Sequence, residues 1–251
     1  MPTVDDLEYL EALRDEAEAL VLAAETAGPD AAVPSCPDWD VAALLGHVGS
    51  VHRWALANLT HPVDGPRLAI SELEPAPAPG LRPAWVRAGA EALVATLGTL
   101  AADAPAWTYA PPHTAGFWRR RQTHETTMHR VDAELAASGV GRSHRPIAPE
   151  LAADAVDEYL TMVAMRAGTR LTLTGAGETI HLHCTDTEGE WLLAPTPEGL
   201  GIERAHAKGD VAVRGAASDL ACWLAGRDDR SALEVFGDEA LADRFRRESK
   251  W

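Results

Sequence analysis

Apolar residues along the first part of the chain recur at helical intervals. Leu7, Leu10, Ala17, Leu20, Val21 and Ala24 form one stripe that ends at Gly28, and Thr3, Asp5 and Asp6 ahead of it suit the free N–H groups and positive end of a helix. A second stripe of Leu44, Val48, Val51 and Ala55 predicts a helix over 41–59, with Asp38 and Asp40 placed to cap it and His47 on its inward face. Between His61 and Pro83 prolines and small residues interrupt every period, and the run from Pro75 to Gly80 favours an extended linker. A third helix is expected over 83–102, with Pro83 in its first turn. After a second irregular stretch, 105–115, a fourth is expected over 117–138. Four helices with two connections long enough to cross over predict a bundle.

Beyond Gly139 to Pro146 the pattern changes. A helix over 149–167 is followed by short runs alternating between apolar and polar, at 170–174 and 179–183, and further strands are expected at 190–193, 200–204, 210–213 and 233–235. Helices at 217–225 and 239–248 complete the pattern, so the chain reads as α+β: a helical bundle over 1–142 followed by a smaller α+β domain over 143–251. A length of 251 residues accommodates two such cores.

Charge narrows the partners. Asp and Glu number 38 against 22 Lys and Arg, giving a net charge of −16 and a field that repels phosphate backbones and anionic headgroups. Nucleic acid and membranes are thereby disfavoured, and a small-molecule partner acting on a monomer or homodimer is the expectation. No run of about 18 apolar residues occurs and the N-terminus is acidic, which points to the cytoplasm. Cys36, Cys184 and Cys222 are odd in number and widely spaced, as expected of reduced thiols rather than a disulfide framework.

The fourth helix carries the candidate chemistry. Glu125 and His129 stand four apart and share a helix face, and Asp132 continues the stripe, where its carboxylate can accept the spare ring N–H of His129. Two donors make a weak site, and His47 on the inward face of the second helix is the obvious third. Two histidines and one carboxylate leave a coordination position open, the hallmark of a reactive zinc site rather than a structural one. His52 falls about 140° around the helix from His47, and His124 points away from the stripe. His113 lies in a Pro-rich loop and has no assigned role. His181 and His183 alternate on a predicted strand, but with no third ligand evident they read as ordinary strand residues.

Four segments carry a family resemblance: Cys36-Pro-Asp-Trp-Asp40 leading to His47, Val51-His-Arg-Trp54, Trp107-Thr-Tyr109, and Arg121-Gln-Thr-His-Glu-Thr-Thr-Met-His129 running on to Glu134. Together they resemble the mycothiol-dependent maleylpyruvate isomerase family, whose first domain is a DinB-like four-helix bundle. The runs Asp210 to Leu220, Trp223 to Arg227 and Leu233 to Asp238 are similar to that family's second domain. The resemblance implies that His47, Glu125 and His129 hold a divalent metal, with zinc as the default, and that mycothiol is the thiol cosubstrate. A metal-bound thiolate would then add to an electrophile, as in cis–trans isomerisation of a maleylpyruvate-type keto acid. Asp132 would orient His129 or take the thiol proton, and Arg214, or less favourably Arg227, could hold a substrate carboxylate. Three other outcomes share the same ligands: S-transfer with release of the adduct, hydrolysis by a metal-activated water, and a non-enzymatic metal-binding regulator.

Overall fold

The computed structural model describes residues 4–63, 65–139, 143–170, 177–196 and 199–249. Its described residues divide into two compact units, one within 5–145 and the other from Pro146 onward together with Val4.

The first unit holds four long helices: α1 (Asp6–Ala27), α2 (Val41–Thr60), α3 (Arg82–Gly98) and α4 (Ala115–Ser138). Asp5 and Glu8 exchange hydrogen bonds at the head of α1, each carboxylate accepting from the other's backbone N–H. Asp40 caps α2, its Oδ1 accepting from Ala43 N at 2.6 Å. Helix α4 packs along α1 and also against α2. Its apolar residues Trp118, Val131, Ala133 and Leu135 are buried, and so are its polar residues Thr123, Thr126, Arg130 and Asp132. Buried polar groups need partners. Arg130 is fully enclosed and donates to Glu16 of α1 at 2.6 Å, to Glu134 at 2.7 Å and to the Arg145 carbonyl at 2.6 Å. Thr123 donates to the Tyr9 carbonyl at 3.0 Å, so α1 and α4 are joined by hydrogen bonds as well as by packing. On the other side Leu20, Val21, Leu44, Leu45, Val48 and Val86 form one apolar cluster with Ala133.

Two expectations need correction here. Helix α3 stops at Gly98 instead of running to Ala102. Thr99 and Leu100 turn back onto Thr96 and Leu97, and Arg119 of α4 donates to the carbonyls of Leu97 and Leu100, satisfying the helix end. The connection over 61–83 is not simply extended either. It contains two short 3-10 turns, Ile70–Glu72 and Pro79–Leu81, and is pinned to α2 by Trp54 Nε1 donating to the Leu68 carbonyl at 2.7 Å.

The second unit packs three helices, α5 (Pro149–Arg170), α6 (Ala217–Leu224) and α7 (Glu239–Glu248), with five strands: β1 (Ile180–Cys184), β2 (Glu190–Thr196), β3 (Gly199–Glu203), β4 (Val211–Gly215) and β5 (Glu234–Gly237). The sheet order is β3-β2-β1-β4-β5, with β1 and β4 parallel and the other neighbours antiparallel. Ile180, Leu182, Trp191, Leu193, Val211 and Val213 are fully buried on one face. Trp191 fixes which face that is, because its Nε1 donates to Asp157 of α5 at 3.0 Å. The strand expected at 170–174 begins in the last residue of α5, and the rest of it lies outside the described residues.

Candidate metal centre

The loop before α2 explains how the site is assembled. Val33 N donates to the Trp39 carbonyl at 3.0 Å and Val41 N to the Ala31 carbonyl at 2.9 Å, while Trp39 N closes a turn onto the Cys36 carbonyl at 2.9 Å. This tight loop directs Ser35 and Cys36 toward Asp132, with Ser35 Oγ donating to Asp132 Oδ1 at 2.5 Å and Cys36 Sγ 3.9 Å from Oδ2. It also places the Trp39 ring against the site, 4.8 Å from the His47 ring and 6.0 Å from the His129 ring.

His47, Glu125 and His129 converge. His47 Nε2 and His129 Nε2 each lie 3.2 Å from the same oxygen, Glu125 Oε1, and one donor atom from each residue falls within 4.8 Å of the others. Arg121 donates to the other oxygen, Oε2, at 2.7 Å and so fixes the carboxylate. His129 Nδ1 lies 2.7 Å from Asp132 Oδ2. A carboxylate only accepts, so Nδ1 carries a proton and Nε2 is the atom turned to the site. Asp132 is fully buried and His129 nearly so, whereas about a third of the His47 side chain is exposed.

The electrostatics describe a place prepared for positive charge. Burial disfavours the charged His129 ring, but the hydrogen bonds to Asp132 and Glu125 outweigh it and raise its pKa to about 9. Burial likewise works against ionised Glu125, yet the bonds from His129 and His47 and the charge of Arg121 hold its carboxyl well below the usual range. The donor set fits a metal. Ligands about 2.0–2.2 Å from a tetrahedral ion stand about 3.3–3.6 Å from one another, and Glu125 Oε1 lies 3.2 Å from each ring nitrogen, near the short end of that range.

The other residues singled out in the sequence lie elsewhere. His52 is fully buried beside Thr126, 2.9 Å from its hydroxyl, and burial lowers its pKa to about 4, so it is a neutral interior ring. His124 is buried with its ring 6.1 Å from Tyr9, and His113 Nδ1 lies 2.7 Å from Thr108 Oγ1. Arg214 belongs to the second unit, on β4, with a half-exposed guanidinium 3.5 Å from Glu234. Arg227 donates to the Ala225 carbonyl at 2.7 Å. Sequence reading missed Trp39, Ser35 and Arg121 as parts of the site. Arg121 had a local signal, since it stands one turn before Glu125 on the same face.

Residues 10–134 match the mycothiol maleylpyruvate isomerase N-terminal domain and residues 150–244 match the C-terminal domain of the same family. The chain belongs to the mycothiol-dependent maleylpyruvate isomerase family. Among solved structures, it is similar to a mutant of the mycothiol-dependent maleylpyruvate isomerase, with a TM-score of 0.64 and 14% identity over 92% of this chain and 93% of that one. The unmutated isomerase gives a TM-score of 0.61 and 15% identity over the same shares. No curated protein matches the chain.

Proposed function

We propose that this chain is a thiol-dependent isomerase, with a divalent metal held by His47, Glu125 and His129 and mycothiol as the thiol cosubstrate. The observation that carries the reading is the convergence of two ring nitrogens on one Glu125 oxygen, with Asp132 behind His129. Family membership supplies the reaction class. A bound divalent ion, with zinc as the default, would favour the thiolate form of an incoming thiol.

The chain's own groups have distinct tasks in this reading. Asp132 keeps the His129 proton on Nδ1, so that Nε2 presents its lone pair. Both Asp132 oxygens already face partners, Ser35 and His129, which favours the orienting role over proton removal from the thiol. Arg121 holds Glu125 in its carboxylate form and Trp39 covers the two rings. Thiolate addition to one carbon of a cis double bond leaves a single bond that rotates. Elimination then restores the double bond in trans and returns the thiol, so no oxidant or reductant is needed.

The test uses the metal-loaded full-length protein with maleylpyruvate, in the presence and absence of mycothiol. Isomerisation that needs the thiol and regenerates it supports the proposal. Accumulation of a thiol adduct would make the protein an S-transferase, cleavage products formed with uptake of water and without thiol would make it a hydrolase, and no turnover would leave a metal-binding regulator.

A further inference from the structure

The open face of the C-terminal sheet carries a second group of metal-ligating side chains. His181 and His183 are two apart on β1, the central strand, and therefore point to the same side, away from the face on which Ile180, Leu182 and Trp191 pack toward α5. Glu190 of β2 is the register partner of His183, so its carboxylate stands on that same side. His206 reaches the carboxylate from the segment after β3. The distances to Glu190 are 3.1 Å from His181 Nε2, 3.2 Å from His183 Nδ1 and 2.6 Å from His206 Nδ1. The three rings are mutually edge-on, with centroids 5.6–6.2 Å apart. One donor atom from each of the four residues lies within 4.8 Å of the others.

We infer that His181, His183, Glu190 and His206 form a second binding site for a divalent transition metal, independent of the one in the helical unit. Three imidazole nitrogens and one carboxylate oxygen are thus gathered on one small volume, each able to present a lone pair to the same ion. Three nitrogens and one oxygen suit zinc and its neighbours in the transition series and do not suit calcium or magnesium, which take oxygen ligands. Four protein ligands are the number of a closed, structural site. An ion there would tie the central strand, its neighbour β2 and the segment around His206 into one unit. A cleft of about 410 Å³ bordered by His181, His206, Lys208 and Phe236 gives it a route from solvent.

The experiment uses the full-length chain with Zn²⁺ alone, stripped by a strong chelator, reloaded, and dialysed against a weak one before elemental analysis. The wild-type chain should retain about two zinc ions if both sites exist, and His206→Ala and Glu190→Gln should each lose about one. His206 is well exposed, with 79% of its side chain accessible, so its removal leaves the core intact. His129→Ala should retain the second ion while losing that of the helical unit. A wild type that holds about one ion, kept in His129→Ala and lost in His206→Ala, would sustain this inference and defeat the helical site. A second readout is thermal: Zn²⁺ should raise the midpoint of His129→Ala, and Glu190→Gln in that background should remove the rise. Equal zinc content in wild type and both sheet variants would overturn the inference. So would a thermal shift that survives Glu190→Gln.

Discussion

The clusters around Glu125 and Glu190 are built by different means, and the contrast separates the reactive metal site proposed for the first from the structural one inferred for the second. In the helical unit the donors come from the faces of two long helices, and supports surround them: Asp132 on His129, Arg121 on Glu125, Trp39 against both rings. With a metal held as proposed, its three ligands would leave a position for a reactant. In the sheet, the donors come from two paired strands and one well-exposed segment. A single carboxylate lies at the centre of three rings, and an ion held there as inferred would have four ligands and no open position. The first arrangement resembles a workplace for a small molecule and the second a clamp.

The largest effect that would sharpen this contrast is expected from His129→Ala. Removing one of three ligands should lower metal affinity at the helical site by far more than the about 10–100-fold that follows loss of a supporting group, and thiol-dependent turnover should vanish with it. Elemental analysis after dialysis, interpreted beside His206→Ala, checks this; full retention of metal would break the assignment. Next comes Asp132→Asn, which keeps the shape but loses the charge behind His129. Metal and fold should persist, while thiol-dependent kcat/KM falls about 10–100-fold. Unchanged turnover would reduce Asp132 to an interior partner.

A pH effect follows in size. In the metal-free protein the His129 pKa is raised from 6.5 to about 9, because its bonds to Asp132 and Glu125 outweigh burial. The stabilisation is therefore fully present below pH 6.5 and is lost as pH rises through 9, a change on the order of 3 kcal/mol. Urea unfolding of the metal-free chain at several pH values should show the decline, and Asp132→Asn should flatten it. His52 works in the opposite direction: buried and depressed to about 4, it costs stability as pH falls from 6.5 toward 4. The smallest expected effect is that of Asp40→Ala, which removes the cap of α2 and should cost about 1 kcal/mol in the same unfolding assay. A change within error would mean that the Ala32–Asp40 bridge and the loop bonds alone set the helix start.

How much of this was legible depended on whether the partners were local. The Glu125, His129 and Asp132 stripe follows from helical spacing alone, and His47 could be added because the α2 period marks its inward face. Asp40 as a cap was readable for the same reason. The end of α3 was not, because Arg119, twenty-odd residues later, supplies the bonds that end it. Trp39 has no periodic neighbour and enters the site through a turn. The neighbours of the two strand histidines lay beyond sequence reading for the clearest physical reason. His181 and His183 announced a face, but Glu190 joins them only through β-pairing register and His206 only through the return of a loop, and neither can be read along the chain.

The measurement that tests the central claim most directly is mycothiol-dependent conversion of maleylpyruvate by wild-type and Glu125→Gln protein, both assayed with the same metal supplied in the buffer. Glu125 is the group on which both helical rings converge, and its replacement keeps the size of the side chain. The account predicts thiol-dependent conversion by the wild type and a loss of about 100-fold or more in the variant. Conversion at equal rates by the two proteins would contradict it.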